Sequence, residues 1–209
     1  MQLRRRRWEI AKKTKQDVNK AVFLDRDGVI NELIYYPEHG IVDSPFIPNQ
    51  FRLLPKVAKA IARFHELGFK VVVISNQPGI AKGYLSQETF AEIRSKMNRE
   101  LARRGAFLDA EYYCFHHPEA KIKRLKANCK CRKPEPGLLL EAEEELDINL
   151  SLSCMIGDGL SDVQAGNKAG CKTILLGRMK CELCQLMEEQ DARPDAIAPD
   201  LLSATQIVE

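Results

Sequence analysis

The chain has little net charge, few aromatic side chains and no long apolar run, and each shortage argues against a class of function. Its 209 residues carry a formal charge of only +3 and 7% aromatics, with a single tryptophan at Trp8. A nucleic-acid-binding module would show a pronounced charge excess with aromatics interleaved, so that reading is disfavoured. No apolar stretch approaches the roughly 18 residues of a membrane span. The amino terminus is basic but has no apolar segment behind it, so no secretory signal is expected. Internal repeats and low-complexity segments are missing as well. Cysteine is odd in number, at seven. Without an export signal such thiols suit metal binding better than a disulfide frame. The expectation is a cytoplasmic protein with neither membrane nor nucleic acid as partner, and nothing argues against a monomer. With 44% apolar residues the chain can bury a proper core as one domain.

What is present centres on Lys20 to Asn31, KAVFLDRDGVIN. Ala21-Val22-Phe23-Leu24 is short, apolar and β-prone, which predicts a buried strand. Asp25 and Asp27 follow at i, i+2, a spacing that turns both side chains to one side of a strand. Two adjacent carboxylates repel and are costly to ionise unless they share a cation or a proton. A divalent ion resolves the conflict and leaves one carboxylate to attack or to shuttle a proton. Gly28 lets the backbone turn sharply there. An EF-hand calcium loop needs a third ligand before its glycine and a glutamate at position twelve. Here the glycine follows the second aspartate directly and a strand leads in, so calcium is disfavoured.

Residues 1–19 form a basic arm led by Arg4-Arg5-Arg6-Arg7 and opposed only by Glu9 and Asp17, read as a solvated extension ahead of one domain over 20–209. Residues 32–54 are irregular, with Pro37, Gly40, Pro45 and Pro48, and a loop of that length suggests a functional role. Pro55 opens a helix whose apolar residues Val57, Ala60, Ile61, Phe64 and Leu67 recur at helical spacing until Gly68. Val71 to Ile74 predicts a second strand, 86–104 a helix and 110–115 a third strand. Beyond these come a helix over 137–146, a strand over 154–156, a helix over 162–169, strands over 173–176 and 195–197, and a last helix near Leu201. Alternating strands and helices describe an α/β fold on a central parallel sheet. Ligands bind such sheets outside the carboxyl ends of the strands. Asp25 and Asp27, Ser75 and Asn76, and Asp158 all fall there.

These groups are what phosphoryl transfer through an aspartyl-phosphate requires. Asp25 is placed to attack phosphorus in line. Mg²⁺, held by Asp25, Asp158 and the backbone carbonyl of Asp27, would offset the charge of phosphate facing carboxylate. Ser75 and nearby amides would donate to the phosphoryl oxygens, and Lys133 would add a point charge. Asp27 would protonate the leaving alkoxide and then take a proton from the hydrolytic water.

DRDGV, Ser75-Asn76, Lys133 and GDGLSD (157–162) resemble, in order, the four motifs of the haloacid-dehalogenase superfamily, over about residues 21–177. The resemblance implies a three-layer, Rossmann-like fold. Fifty residues separate Asp25 from Ser75 and 58 separate Ser75 from Lys133. Neither interval has room for a large cap domain, so loops alone should cover the site.

Cys114-x-His116 and, twelve residues on, Cys129-x-Cys131 supply three sulfurs and one imidazole, a tetrahedral set for a structural Zn²⁺ in a loop insertion over 114–131. His117 is an alternative to His116, though His116 fits the family. This insertion, directly before R-K-P-x-P-G (132–137), is similar to that of the D-glycero-D-manno-heptose 1,7-bisphosphate phosphatase branch. The histidinol-phosphatase branch has a shorter gap between its ligand pairs. By resemblance, Ser75, Asn76, Gln77, Arg132 and Lys133 bind substrate, helped by the loop Leu33 to Tyr36, and the substrate is a small sugar bisphosphate. Histidinol phosphate or another small sugar phosphate is the alternative. Pro78 and Gly159 depart from the family's usual residues, and the loop from Tyr36 to Gln50 is longer than usual.

Asp162 reads equally as a metal ligand, direct or through water, and as a helix N-cap. Cys181-x-x-Cys184 has no partner pair and reads as two ordinary thiols. Cys154 and Cys171 look like core residues, and His39 and His65 like surface or packing residues.

Overall fold

The computed structural model describes residues 19–177 and 181–208, so the basic arm ahead of Asn19 lies outside the described residues. In chain order the elements are β1 (Lys20–Leu24), β2 (Ile34–Tyr36), β3 (Ile41–Asp43), α1 (Val57–Glu66), β4 (Phe69–Asn76), α2 (Gly79–Lys82), α3 (Gln87–Ala102) and β5 (Ala110–Cys114). There follow α4 (Gly137–Leu146), β6 (Cys154–Gly157), α5 (Leu160–Ala169), β7 (Lys172–Leu176), α6 (Cys181–Glu189), β8 (Ala196–Ala198) and α7 (Leu201–Val208). Six strands make one sheet in the order β5-β4-β1-β6-β7-β8, every pairing parallel. The chain builds outward from β1 to β4 and β5, then returns to the other side of β1 with β6. That reversal is the switch point where an open parallel sheet leaves a crevice.

Side chains alternate across the pleat, and the core divides accordingly. Val22 and Leu24 of β1, with Val71 and Val73 of β4, pack against Ile61 and Phe64 of α1, Ile93 and Met97 of α3, and Leu201 of α7. Ala21 and Phe23, with Val72 and Ile74, pack against Leu138, Leu139 and Ala142 of α4 and Ala165 of α5. Helices therefore cover both faces, giving three layers, and the long apolar run of β1 is buried from both sides.

Boundaries differ from expectation in places with identifiable causes. β4 extends two residues further at each end than Val71 to Ile74, because β1 and β5 both pair with it. The stretch over 32–54 is not wholly irregular, since β2 and β3 form an antiparallel hairpin within it. Closing that loop, the Tyr36 hydroxyl accepts from the Phe46 N–H at 3.0 Å and donates to the Ser44 carbonyl at 2.9 Å, while its ring stacks on Phe46. Tyr36 is consequently buried in the loop's own small core, whereas Leu33 and Tyr35 are exposed. α2 was unanticipated because Gly79 opens it, close-packed beneath Leu85. α5 begins at Leu160, earlier than Asp162, for a reason given below.

Phe64 is fully buried between α1 and the sheet. Phe64→Ala is expected to lower the unfolding free energy by about 3–5 kcal/mol. Urea titration would read this as a lower midpoint at unchanged slope, and a loss under about 1 kcal/mol would contradict the packing described.

Candidate active site

β1 stops at Leu24, so Asp25 and Asp27 lie just beyond the strand and not on it. Asp25 remains tethered, its backbone N–H donating to the Ile156 carbonyl of β6 at 3.0 Å. The chain then turns at Gly28, with φ of +82°. A Cβ there would stand 2.0 Å from the Asp158 carboxylate, so only glycine lets the backbone pass this close. Asp25 and Asp27 nevertheless keep different hydrogen-bond partners.

Asp25 joins Asp158, just after β6, and Asp162, in the first turn of α5, with one oxygen of each within 4.8 Å of the others. Into this cluster reaches Lys133, whose Nζ lies 3.0 Å from Asp25 Oδ1 and 2.6 Å from Asp162 Oδ1. The same ammonium donates to the Ile74 carbonyl at 2.8 Å. Burial alone would lower the Lys133 pKa, but Asp162 and Asp25 hold it above the usual lysine value. Burial, with Asp162 and Asp27 adding repulsion against the opposing pull of Lys133, pushes the Asp25 carboxyl up to about 6. Asp158 opens more to solvent, yet its partial desolvation and the neighbouring Asp25 and Asp162 push it up to about 7. Three carboxylates and one ammonium leave a deficit of positive charge, and an oxygen-only donor set suits a hard divalent cation. The residues fit such an ion.

Asp162 is not an N-cap residue. It occupies the third helical position, where its Oδ2 accepts from the Gly159 N–H at 3.0 Å, and this reach back across the first turn starts α5 at Leu160. One carboxylate thus caps the helix with one oxygen and binds Lys133 with the other. Gly159 serves through its backbone.

Asp27 faces a different set. Its Oδ1 accepts from Asn31 Nδ2 at 2.9 Å and Arg26 Nη2 at 3.1 Å, and its Oδ2 from Gln77 Nε2 at 2.6 Å. Gln77 also donates to Ser75 Oγ at 3.0 Å. Asn76 uses both ends of its amide on the Lys133 backbone, donating to the carbonyl and accepting from the N–H, each at 3.0 Å. Gln77 and Asn76, expected to contact substrate, therefore spend their polar groups on protein partners. Arg26 and Asn31 belong to the site although the sequence does not mark them. Both lie within the organising stretch, but nothing in sequence marks a lone arginine or asparagine as buried.

The pairing of Asn76 with Cys114 across β4 and β5 puts the thiol cluster beside this network. Cys114, His116, Cys129 and Cys131 converge, with sulfur–sulfur distances of 3.1–3.5 Å and Cys131 Sγ 3.5 Å from His116 Nδ1. Those separations are far beyond a disulfide bond, and burial pushes the Cys114 thiol well above its ordinary pKa. Three sulfurs and an imidazole form the donor set of a closed structural zinc site, and the residues fit it. His117 stands apart, its Nδ1 accepting from the Glu119 N–H at 3.1 Å. Arg132, next to Cys131, donates to the His116 carbonyl at 3.4 Å. Cys154 and Cys171 are buried as expected, Cys184 is exposed, and the Cys181 side chain lies outside the described residues. His65 pairs with Asp109 at 2.9 Å and His39 stacks near Tyr84.

An open parallel sheet with these motifs at its strand ends defines a phosphatase of the haloacid-dehalogenase type, and a family model described as HAD-hydrolase-like matches residues 130–204. A D-glycero-beta-D-manno-heptose-1,7-bisphosphate 7-phosphatase of Photorhabdus laumondii is 42% identical over 158 residues, 76% of this chain and 80% of that protein. The enzyme of the same name from Escherichia coli K12 is 40% identical over 76% of this chain and 78% of its own length. The crystal structure of a D,D-heptose 1,7-bisphosphate phosphatase from B. bronchiseptica, complexed with magnesium and phosphate, superposes with a TM-score of 0.73 at 31% identity, covering 90% of this chain and 97% of that one. The chain belongs to the D-glycero-β-D-manno-heptose-1,7-bisphosphate 7-phosphatase family.

The carboxylate cluster predicts a pH effect in magnesium-free buffer. Unfolded aspartate ionises near 3.8, but folded Asp25 and Asp158 only at about 6 and about 7. Over that interval the folded state holds the extra protons, so stability is highest at low pH and falls as pH rises toward 7. Asp158 contributes less because water reaches it. Thermal melts should decline across that window and regain stability on adding Mg²⁺, more at pH 7.5 than at pH 5. A flat profile with no magnesium effect would show that these carboxylates do not form one electrostatic unit.

Proposed function

We propose that this phosphatase hydrolyses D-glycero-β-D-manno-heptose 1,7-bisphosphate at its 7-phosphate, through an aspartyl-phosphate on Asp25. The observation that carries the reading is the placement of Asp25, tethered to β6 by its backbone and paired with the buried Lys133 at 3.0 Å. The names of the relatives support the choice of substrate. We assign residues 20–209 to one phosphatase domain and 1–19 to a basic extension. No helix among the described residues is long and apolar enough to cross a membrane.

Asp25 and Asp158, with the backbone carbonyl of Asp27, would hold Mg²⁺, with Asp162 close enough to join directly or through water. When bound, that ion supplies positive charge against a phosphate facing carboxylates. The Asp25 carboxylate attacks phosphorus while Lys133 balances charge on the phosphoryl oxygens and the Ser75 hydroxyl donates to them. Asp27 gives its proton to the departing alkoxide and then takes one from the water that cleaves the acyl phosphate. Arg132 extends from the zinc loop toward the rest of the substrate as a second cation. Gln77 and Asn76 act by holding Asp27 and Lys133, a role consistent with their hydrogen bonds. Zn²⁺ on Cys114, His116, Cys129 and Cys131 would pin the segment that presents Arg132 and Lys133.

The test is phosphate release from both heptose 1,7-bisphosphate anomers, fructose 1,6-bisphosphate, histidinol phosphate and a 3′-phosphorylated oligonucleotide, with and without Mg²⁺. The expected result is Mg²⁺-dependent release from the β anomer, leaving the 1-phosphate. Asp25→Asn should reduce that turnover on the order of 10⁴-fold or more. Preference for another substrate would overturn the assignment and keep the chemistry. Retention of activity by Asp25→Asn would overturn the chemistry.

A second expectation concerns the thiol cluster. Cys129→Ser should weaken zinc retention by more than the roughly 10–100-fold typical of losing an outer-shell partner, and loosen residues 114–133. Metal analysis and limited proteolysis would check this, and full zinc occupancy in the variant would contradict the donor set.

A further inference from the structure

We infer that Arg26 is a positioning residue that fixes the Asp27 carboxylate for proton delivery, an inference that rests on the proposed role of Asp27. Arg26 is only 1% exposed, the largest fully buried side chain among the described residues. Its Nε lies 3.2 Å from Asp27 Oδ2 and its Nη2 3.1 Å from Asp27 Oδ1, a two-point grip on the neighbouring carboxylate. Nη2 also donates to Gln77 Oε1 at 2.9 Å, and Gln77 Nε2 returns to Asp27 Oδ2 at 2.6 Å. The three side chains close a ring, and Asn31 completes the hold on Oδ1.

The walls around the guanidinium are built to match. It lies over the Phe90 ring of α3, 5.4 Å from the centroid. Tyr113 flanks it and is itself anchored to Glu111, which binds Arg94 and Asn98 of α3 at 3.0 and 2.8 Å. Yet Arg26 Nη1 is buried without a hydrogen-bond partner. A buried ion pair is a weak device for stability in general, so the guanidinium calls for another explanation. What the arginine does that an apolar residue cannot is hold both oxygens of Asp27 in one rotamer. The Asp27 side chain keeps 11% of its surface exposed, so it is not sealed from the crevice as Arg26 is.

In the step concerned, a carboxylate oxygen of Asp25 bonds to phosphorus, the bond from phosphorus to the sugar oxygen breaks, and the Asp27 proton goes to that oxygen. A sugar alkoxide needs this proton. A p-nitrophenolate leaving group does not. Single-turnover release of the alcohol and of p-nitrophenolate from the magnesium-loaded enzyme therefore separates positioning from general damage. Arg26→Met is expected to slow sugar release by about 10²-fold, within the range of general-acid contributions, with p-nitrophenolate release and KM changed only a few-fold. Arg26→Lys keeps the buried charge and loses the two-point grip, so it should show the same selectivity at smaller magnitude. Equal slowing of both substrates in these variants, beside a selective Asp27→Asn, would reduce Arg26 to a structural role and overturn the inference. A non-selective Asp27→Asn would overturn the role of Asp27 itself, and the inference with it.

Discussion

The structure turns on the buried ammonium of Lys133, held between Asp25 and Asp162. A charge this deep is tolerated only when its counter-charges and hydrogen bonds are in place. Here they are two carboxylates and the Ile74 carbonyl. Conversely, without Lys133 three acidic groups would crowd the crevice with nothing to offset them until a cation bound. Much of the surrounding structure serves to deliver that lysine. Asn76 grips its backbone from the end of β4, and the thiol cluster terminates two residues before it. The conformation of the loop and the charge balance of the site are therefore one problem, solved at one residue.

The second constraint is that Asp25 and Asp27 keep different partners. Beyond Leu24 each carboxylate has its own surroundings. One is buried among carboxylates and an ammonium, the other gripped by Arg26, Asn31 and Gln77. Two chemically identical side chains acquire two roles through environment alone. The fold makes this possible because β1 and β6 flank the switch point, so the tails of both strands enter the same crevice.

Most of this architecture was readable from sequence. The strands of a parallel sheet are continuous apolar runs, and Ala21 to Leu24 or Val71 to Ile74 could hardly be anything else. The carboxylates were legible because acidic residues at strand ends have few other uses, and Lys133 because it stands in order among the four motifs. What was hidden depended on contacts distant in sequence. The direction of Asn76 is set by Lys133, 57 residues on, and that of Gln77 by Asp27, 50 residues back. Arg26 was hidden for a different reason, because a charged side chain reads as surface unless its buried partners are known. Asp162 was half legible. Its proximity to Asp25 and Asp158 fits the proposed metal role, whereas the proposed N-cap is replaced by a cap from the third helical position.

The central claim is that Asp25 is the nucleophile, and it can be tested at the covalent intermediate. The enzyme would be mixed with substrate and Mg²⁺, quenched in acid within the first turnover, reduced with borohydride and analysed by peptide mass spectrometry. An acyl phosphate on Asp25 predicts homoserine at position 25, dependent on both substrate and Mg²⁺. Reduction at Asp27, Asp158 or Asp162 instead, or no reduced residue while phosphate is being released, would contradict the account.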